Sequence, residues 1–369
     1  MPFWHDYRRF IFSPPRVLFT RVMEKNGVFM KDFAELAEVW RCGVLESRHW
    51  GVAAVSNAQG EVIEGWGDIS TITYPRSSMK PFQALPLIET GAADAYGLTP
   101  RHLALACASH RGEARHTELV YDWLKTLDCT PDGLACGPDY PNHIGTQHAM
   151  IAAGIQPDPV HHNCSGKHTG FLTVCRHCGH SIEGYKEPDH PTQRAYAETL
   201  EQFGVSVPNW GVDGCTLPTP ALSVGDAARI GARFVAGKGG DQRRLATGRL
   251  LAAMRAHPEY ASGTAHPMTE MVAATKGRVV FKGGAEAFLL AFLEQDGLAI
   301  AFKVADGNSR ARMPALVAIL KGLGILDEGE VTALADLARP KLRDSRGTVT
   351  GHVQAADALS SANGDFGIS

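Results

Sequence analysis

Apolar and polar positions change their spacing several times along the 369-residue chain. Phe33, Leu36, Val39 and Trp40 form an amphipathic run that opens near Met30. From Trp50 to Trp66 the pattern is strand, turn, strand: Val52 to Val55, then Asn57-Ala-Gln-Gly60, then Val62-Ile63, which is a hairpin signal. Helical spacing takes over after that. It predicts helices over 78–90, 99–108, 113–126, 146–153, 166–178, 191–203, 219–236, 242–256 and 309–323. A second hairpin is read at Ala285–Leu293 and Ala299–Val304, either side of Gln295-Asp296-Gly297. Two hairpins separated by a long helical block predict an antiparallel sheet flanked by helices, with a helical lobe beside it. This is an α/β architecture of the α+β kind. Residues 1–29 carry excess positive charge and no clear period, and read as an extension ahead of one domain over 30–369. The segment from Ser360-Ser361 onward reads as disordered.

Composition narrows the class. With 44% hydrophobic residues, the chain can bury a large core. A net charge of −3 with both signs interspersed, and no lysine–arginine run, argues against nucleic acid as a partner. No apolar run approaches the roughly 18 residues of a membrane span. Arg8-Arg9-Phe10-Ile11-Phe12 resembles an export signal, but Pro14, Pro15, Arg16 and Arg21 interrupt the stretch that would follow. A cytoplasmic protein is therefore expected. The eight cysteines, at 42, 107, 129, 136, 164, 175, 178 and 215, then read as reduced thiols, some of them metal ligands.

The densest chemical signal is Tyr74-Pro75-Arg76-Ser77-Ser78-Met79-Lys80-Pro81. Ser77 suits a helix N-cap, and residues three apart on a helix face one another, so Ser77 Oγ and Lys80 Nζ are expected to meet. A serine becomes a nucleophile when a base takes its proton, and lysine is a base only when neutral. Burial or a neighbouring cation such as Arg76 favours that form. Taken alone, S-x-x-K is equally a capping serine with a solvated lysine.

Three further clusters bear on the choice. Cys107-Ala-Ser109-His110-Arg111-Gly112-Glu113 is a charged burst after an apolar run, or simply a helix end. His161-His162-Asn163-Cys164-Ser165-Gly166-Lys167-His168 leads into a helix, and Cys164 and Lys167 can point one way from its start. Lys282-Gly283-Gly284-Ala285-Glu286 stands at the mouth of the second hairpin, where glycines permit close backbone approach. Cys175-Arg-His-Cys178, with His177 and His180, has metal-like spacing. Its cysteines nevertheless share an apolar helical face with Phe171, Leu172 and Val174, and read as core.

Together, YPRSSMKP, ASHRGE, HNCSGKH, VDGCTLP and KGGAE resemble, in order and spacing, the rhizobial-type (class 3) L-asparaginase II family. The resemblance runs from about Met30 to the last helices. It implies a fold similar to serine β-lactamases and glutaminases, and hydrolysis of L-asparagine to L-aspartate and ammonia by a Ser-Lys acyl-enzyme mechanism. Position by position, it implies Ser77 and Lys80 as the first catalytic pair, and Ser109 with Lys282 as the second. Lys276 is the alternative to Lys282. Arg76, His168 and Asp213 would line the substrate site. Cys164, Lys167 and Cys215 would hold zinc, and a homodimer is implied. Two other readings stay open. One is a penicillin-recognising hydrolase, although S-D-N and K-T-G motifs are absent. The other is a catalytically silent zinc-binding regulatory protein.

Overall fold

The computed structural model describes residues 32–359, so the proposed extension over 1–29 and the tail from Ser360 lie outside the described residues. One long strand organises the rest. The main sheet contains β1 (Ala34–Arg41), β2 (Val44–Asn57), β3 (Val62–Trp66), β7 (Val280–Gly283), β8 (Phe288–Leu293), β9 (Leu298–Val304), β10 (Lys341–Arg343) and β11 (Val349–Ala355). Its order is β10-β11-β1-β2-β9-β8-β7, with β3 paired to β2. β2 carries β1 and then β3 along one edge and β9 along the other, every pairing antiparallel. Its inner stretch, Val52 to Val55, is fully buried. A second, three-stranded sheet has the order β4-β6-β5, from β4 (Ile72–Thr73), β5 (Asn209–Val212) and β6 (Pro218–Ser223).

The antiparallel sheet with flanking helices and a helical lobe is thus the observed architecture. Most predicted helices are present, among them Pro100–Ala106, Ala114–Thr126, Ser165–Cys178 and Asp241–Ala256. Three segments differ from the pattern reading. The run Phe33 to Trp40 is strand β1, because β2 and β11 pair with it on both sides. The predicted helix over 219–236 begins as strand β6 and turns helical only at Val224, where Ser223 Oγ accepts from the Asp226 N–H. Ala285–Ala287 precedes β8 as a turn, with Glu286 and Ala287 at positive φ. Lys282 therefore lies within β7, a separate edge strand paired to β8.

Aromatic packing joins lobe to sheet. Phe82, just after Lys80, sits 4.8 Å from Phe234 and 5.5 Å from Phe203, and Phe234 sits 5.3 Å from Phe292 on β8. All four rings are buried, and such contacts add stability beyond burial of their area. Gly166 sets a second seam. A side chain there would stand 2.5 Å from the Leu105 carbonyl oxygen, so only glycine lets the helix Ser165–Cys178 lie against Pro100–Ala106. One turn later, a Cβ at Gly170 would meet nothing nearer than 3.7 Å.

These two glycines generate opposite expectations. Gly166→Ala forces the two helices apart and should cost about 1–3 kcal/mol. Gly170→Ala has room for its methyl and should be neutral or stabilising by up to about 1 kcal/mol. Urea denaturation of the two variants checks this; equal losses would contradict the packing described.

Candidate active site

Two buried lysines meet at one serine hydroxyl. Lys80, with no exposure, donates from Nζ to the Ala108 carbonyl and lies 3.0 Å from Ser109 Oγ. Lys282, 5% exposed, reaches the same oxygen from β7 at 2.8 Å and donates to the Gly283 carbonyl at 2.8 Å. Lys276 is exposed on a turn, so Lys282 is the lysine at this site. The Ser77 turn is tied to β7 by Ser78 Oγ, which donates to the Lys282 carbonyl at 2.8 Å. Gly284 makes the fit possible, since a Cβ there would lie 2.2 Å from the Pro75 carbonyl oxygen. Burial, then the charges of Lys80 and Arg312, push Lys282 well below the usual lysine range.

Ser77 departs from expectation in two ways. It is not an N-cap but the second residue of a 3-10 turn, Arg76–Met79, whose cap position is Pro75. Among the described residues nothing is hydrogen-bonded to its hydroxyl, and the expected contact with Lys80 is not formed. The reason is depth: Lys80 runs into the core, where Ala108 and Ser109 offer acceptors, while Ser77 stays part-exposed. Arg76, immediately before it, has φ 55°, a left-handed conformation that strains a non-glycine residue and recurs at functional sites. Arg76 is also not the cation beside Lys282. Its Nε donates to Asp213 Oδ1 at 2.5 Å. Burial would raise Asp213, but Lys167 and Arg76 outweigh it and hold the carboxyl low.

The β5–β6 hairpin tip supplies Asp213 and Cys215, and the start of helix Ser165–Cys178 supplies Lys167 and His168, with Cys164 at its cap. Lys167 Nζ lies 2.9 Å from Cys215 Sγ, and both residues are buried. The proximity of the two sulfurs pulls Cys164 well below the thiol range and pushes Cys215 up; Lys80 and Lys167 further favour the Cys164 thiolate, whose Sγ lies 3.0 Å from Asn163 Oδ1. Burial alone would lower Lys167, but the two sulfurs reverse this and hold it above its ordinary value. His168 is fully buried. Its Nδ1 meets the Tyr185 hydroxyl at 2.6 Å, and its Nε2 has no hydrogen-bond partner.

Among the described residues no three His, Cys, Asp or Glu side chains converge to hold a metal. A metal set here needs the Lys167 amine as third donor. Two soft sulfurs and an amine in one dry pocket, with the orphaned His168 nitrogen, suit zinc chemically. At the CxxC segment, Cys175 is buried with Phe171, Leu172 and Val174, and burial pushes its thiol up to about 12. Cys178, read as part of the same core face, is exposed, because the helix ends at Gly179 and turns that position outward.

Several site groups escaped the sequence reading. His110, next to Ser109, takes the Gly112 N–H on Nδ1 at 3.1 Å, so its Nε2 faces Ser165 Oγ at 2.8 Å as donor. Its own N–H donates to the Asn163 carbonyl, clamping the Ser109 segment to the Cys164 helix start. The ASHRGE block contained this histidine, yet only the fold reveals its partner. Arg312 gave no signal at all, because it lies inside a predicted helix.

Two amines on one half-buried hydroxyl are equipment for moving protons. The family comparison gives the class, that of the amidohydrolases. The chain belongs to the L-asparaginase II family, whose family model matches residues 37–355. A search of curated proteins finds no match. Among solved structures, a provisionally named β-lactamase from Bacteroides dorei superposes with a TM-score of 0.40 at 9% identity, over 73% of this chain and 93% of that one. A β-lactamase from Mycobacterium bovis gives 0.36 at 14%, over 78% and 95%. A protein named Mglu gives 0.37 at 15%, over 75% and 65%.

A lysine held neutral by burial costs stability at neutral pH. Between its lowered value in the folded protein and the ordinary 10.5, the unfolded chain binds a proton that the folded chain does not, so stability rises with pH across that window. Lys282→Met keeps the length and removes the penalty. It is expected to melt several degrees above the parent at pH 7, with the gap closing as pH approaches 10.5. A variant that melts lower at every pH would contradict a depressed Lys282.

Proposed function

We propose that this amidohydrolase converts L-asparagine to L-aspartate and ammonia through a covalent acyl-enzyme on Ser77. The observation that carries the reading is the convergence of Lys80 and Lys282 on Ser109 beside a serine whose own hydroxyl is left unengaged. Ser77 Oγ attacks the side-chain carboxamide carbon; its proton goes to Lys80, which passes one of its own through Ser109 Oγ to the neutral amine of Lys282. Lys282 accepts readily because burial keeps its amine neutral. The Ser77 N–H at the start of its turn donates to no described carbonyl, and is available to the oxyanion. The lysines return the proton to the departing nitrogen as ammonia is released. Water, deprotonated by the same groups, then splits the β-aspartyl ester and frees Ser77. Arg76 and Asp213, fixed against one another, form the wall that recognises the substrate's polar end.

Zinc belongs to the same reading. Cys164, Lys167 and Cys215 would hold it, with His168 beside them, and bound zinc supplies a Lewis acid that orients substrate. Because Lys167 and the Cys215 thiol both carry protons beside the Cys164 thiolate, metal uptake should release protons. A homodimer working in the cytoplasm completes the proposal.

Ser77→Ala is expected to fold normally and to lower ammonia release from L-asparagine by a factor on the order of 10³ or more. Near-parental turnover by a folded Ser77→Ala protein would remove Ser77 as nucleophile. Elemental analysis tests the metal separately. About one zinc per chain is expected, lost on changing Cys164 and Cys215 together and retained on changing Cys175 and Cys178; the opposite pattern would move the site.

A further inference from the structure

We infer that Thr216 is a positioning residue, whose hydroxyl holds the β5–β6 tip in a strained conformation and so keeps Asp213 on Arg76 and Cys215 on Lys167. The inference rests on the reading above only for the roles it gives those residues. The tip is a three-residue loop: the Asp213 N–H donates to the Leu217 carbonyl at 2.9 Å, with Gly214, Cys215 and Thr216 between them. The Thr216 N–H closes a turn on the Asp213 carbonyl at 2.8 Å, and neither Gly214 nor Cys215 has a positive φ, which makes it a type I turn. In such a hairpin loop the residue after the turn is left-handed, and glycine adopts that conformation without strain. This chain places Thr216 there, at φ 74°. It is the one β-branched residue with a positive φ among the described residues, and β-branched side chains suit that region least.

The hydroxyl is what glycine would lack. Thr216 Oγ1 donates to the Ala135 carbonyl at 3.0 Å. Ala135 is itself anchored, because its N–H donates to the Tyr185 hydroxyl at 2.8 Å, and that hydroxyl meets His168 Nδ1 at 2.6 Å. His168 follows Lys167, whose amine is on Cys215. The tip is therefore tied back to the helix that carries the partner of its own cysteine. On the other side of the loop, Asp213 Oδ1 accepts from Arg76 and from the Gly214 N–H. Arg76 is also left-handed, at φ 55°, directly before Ser77. Strained backbone persists only where its surroundings over-determine it. Here the Ala135 bond and the two turn bonds do so.

Three variants separate the hydroxyl from the strain. Thr216→Ser keeps the hydroxyl, Thr216→Val keeps the branched shape without it, and Thr216→Gly loses it while relieving the backbone. Thr216→Gly is expected to melt a few degrees above Thr216→Val. Both should nevertheless let iodoacetamide reach Cys215 about 10-fold faster than in the parent, with chelator present and the exposed Cys178 as internal reference. Ammonia release from L-asparagine should fall about 10-fold in both, through kcat. Thr216→Ser should match the parent in labelling and in turnover. A loop that matters only for stability would give Thr216→Gly parental labelling and turnover, and that result would overturn the inference. So would a Thr216→Gly protein melting no higher than Thr216→Val. If the parent releases no ammonia from L-asparagine, the proposed activity fails, while the order of Cys215 labelling still decides whether Thr216 holds the tip.

Discussion

Two buried amines cannot both carry full charge cheaply at one hydroxyl, and much of this structure is arranged around that constraint. Ser109 receives Lys80 from the lobe side and Lys282 from the sheet edge. The meeting depends on the Ser77 turn lying flat on β7, which Gly284 permits and the bond from Ser78 to the Lys282 carbonyl secures. It also depends on the lobe staying seated, which falls to the Phe82–Phe203–Phe234–Phe292 cluster one turn beyond Lys80. Burial that would merely be costly elsewhere here makes a base, because a desolvated lysine beside another cation gives up its proton.

The cations around the site are handled in different ways. Arg76 is neutralised by Asp213, and Lys167 by the shared proton and charge of Cys164 and Cys215. Lys282 is relieved by losing its proton. Arg312 has no answer within the described protein.

The fold was legible where pattern and burial agree. The hairpin from Trp50 to Trp66 buries the inner stretch of β2 and leaves β3 half-buried beside it, and the helices of the lobe keep one apolar face. Strand β1 was obscured because Phe33, Leu36, Val39 and Trp40 also fit helical spacing, and only pairing with β2 and β11 decides the matter. β6 was absorbed into the following helix because its residues are buried on both faces, and a fully buried strand has no period to read. At the site, the local blocks named Ser77, Lys80, Ser109, Lys282 and the cysteine–lysine group as candidates, and the fold brings Lys80 and Lys282 to Ser109 and Lys167 to Cys215. Spacing alone paired Ser77 with Lys80, whereas the folded chain sends Lys80 across to Ser109. That preference comes from how deeply each side chain lies, which no window of sequence contains. Arg312 and the His110–Ser165 clamp depend on contacts more than 25 residues apart along the chain, and so left no local trace.

The central claim is that acyl transfer passes through Ser77 while the two lysines and Ser109 carry the proton. Rapid acid quench during turnover of L-asparagine, followed by peptide mapping, examines it directly. The account expects a β-aspartyl adduct on the peptide containing Ser77, and none in Ser77→Ala. An adduct on Ser109, or full turnover with no covalent intermediate at any time point, would contradict it.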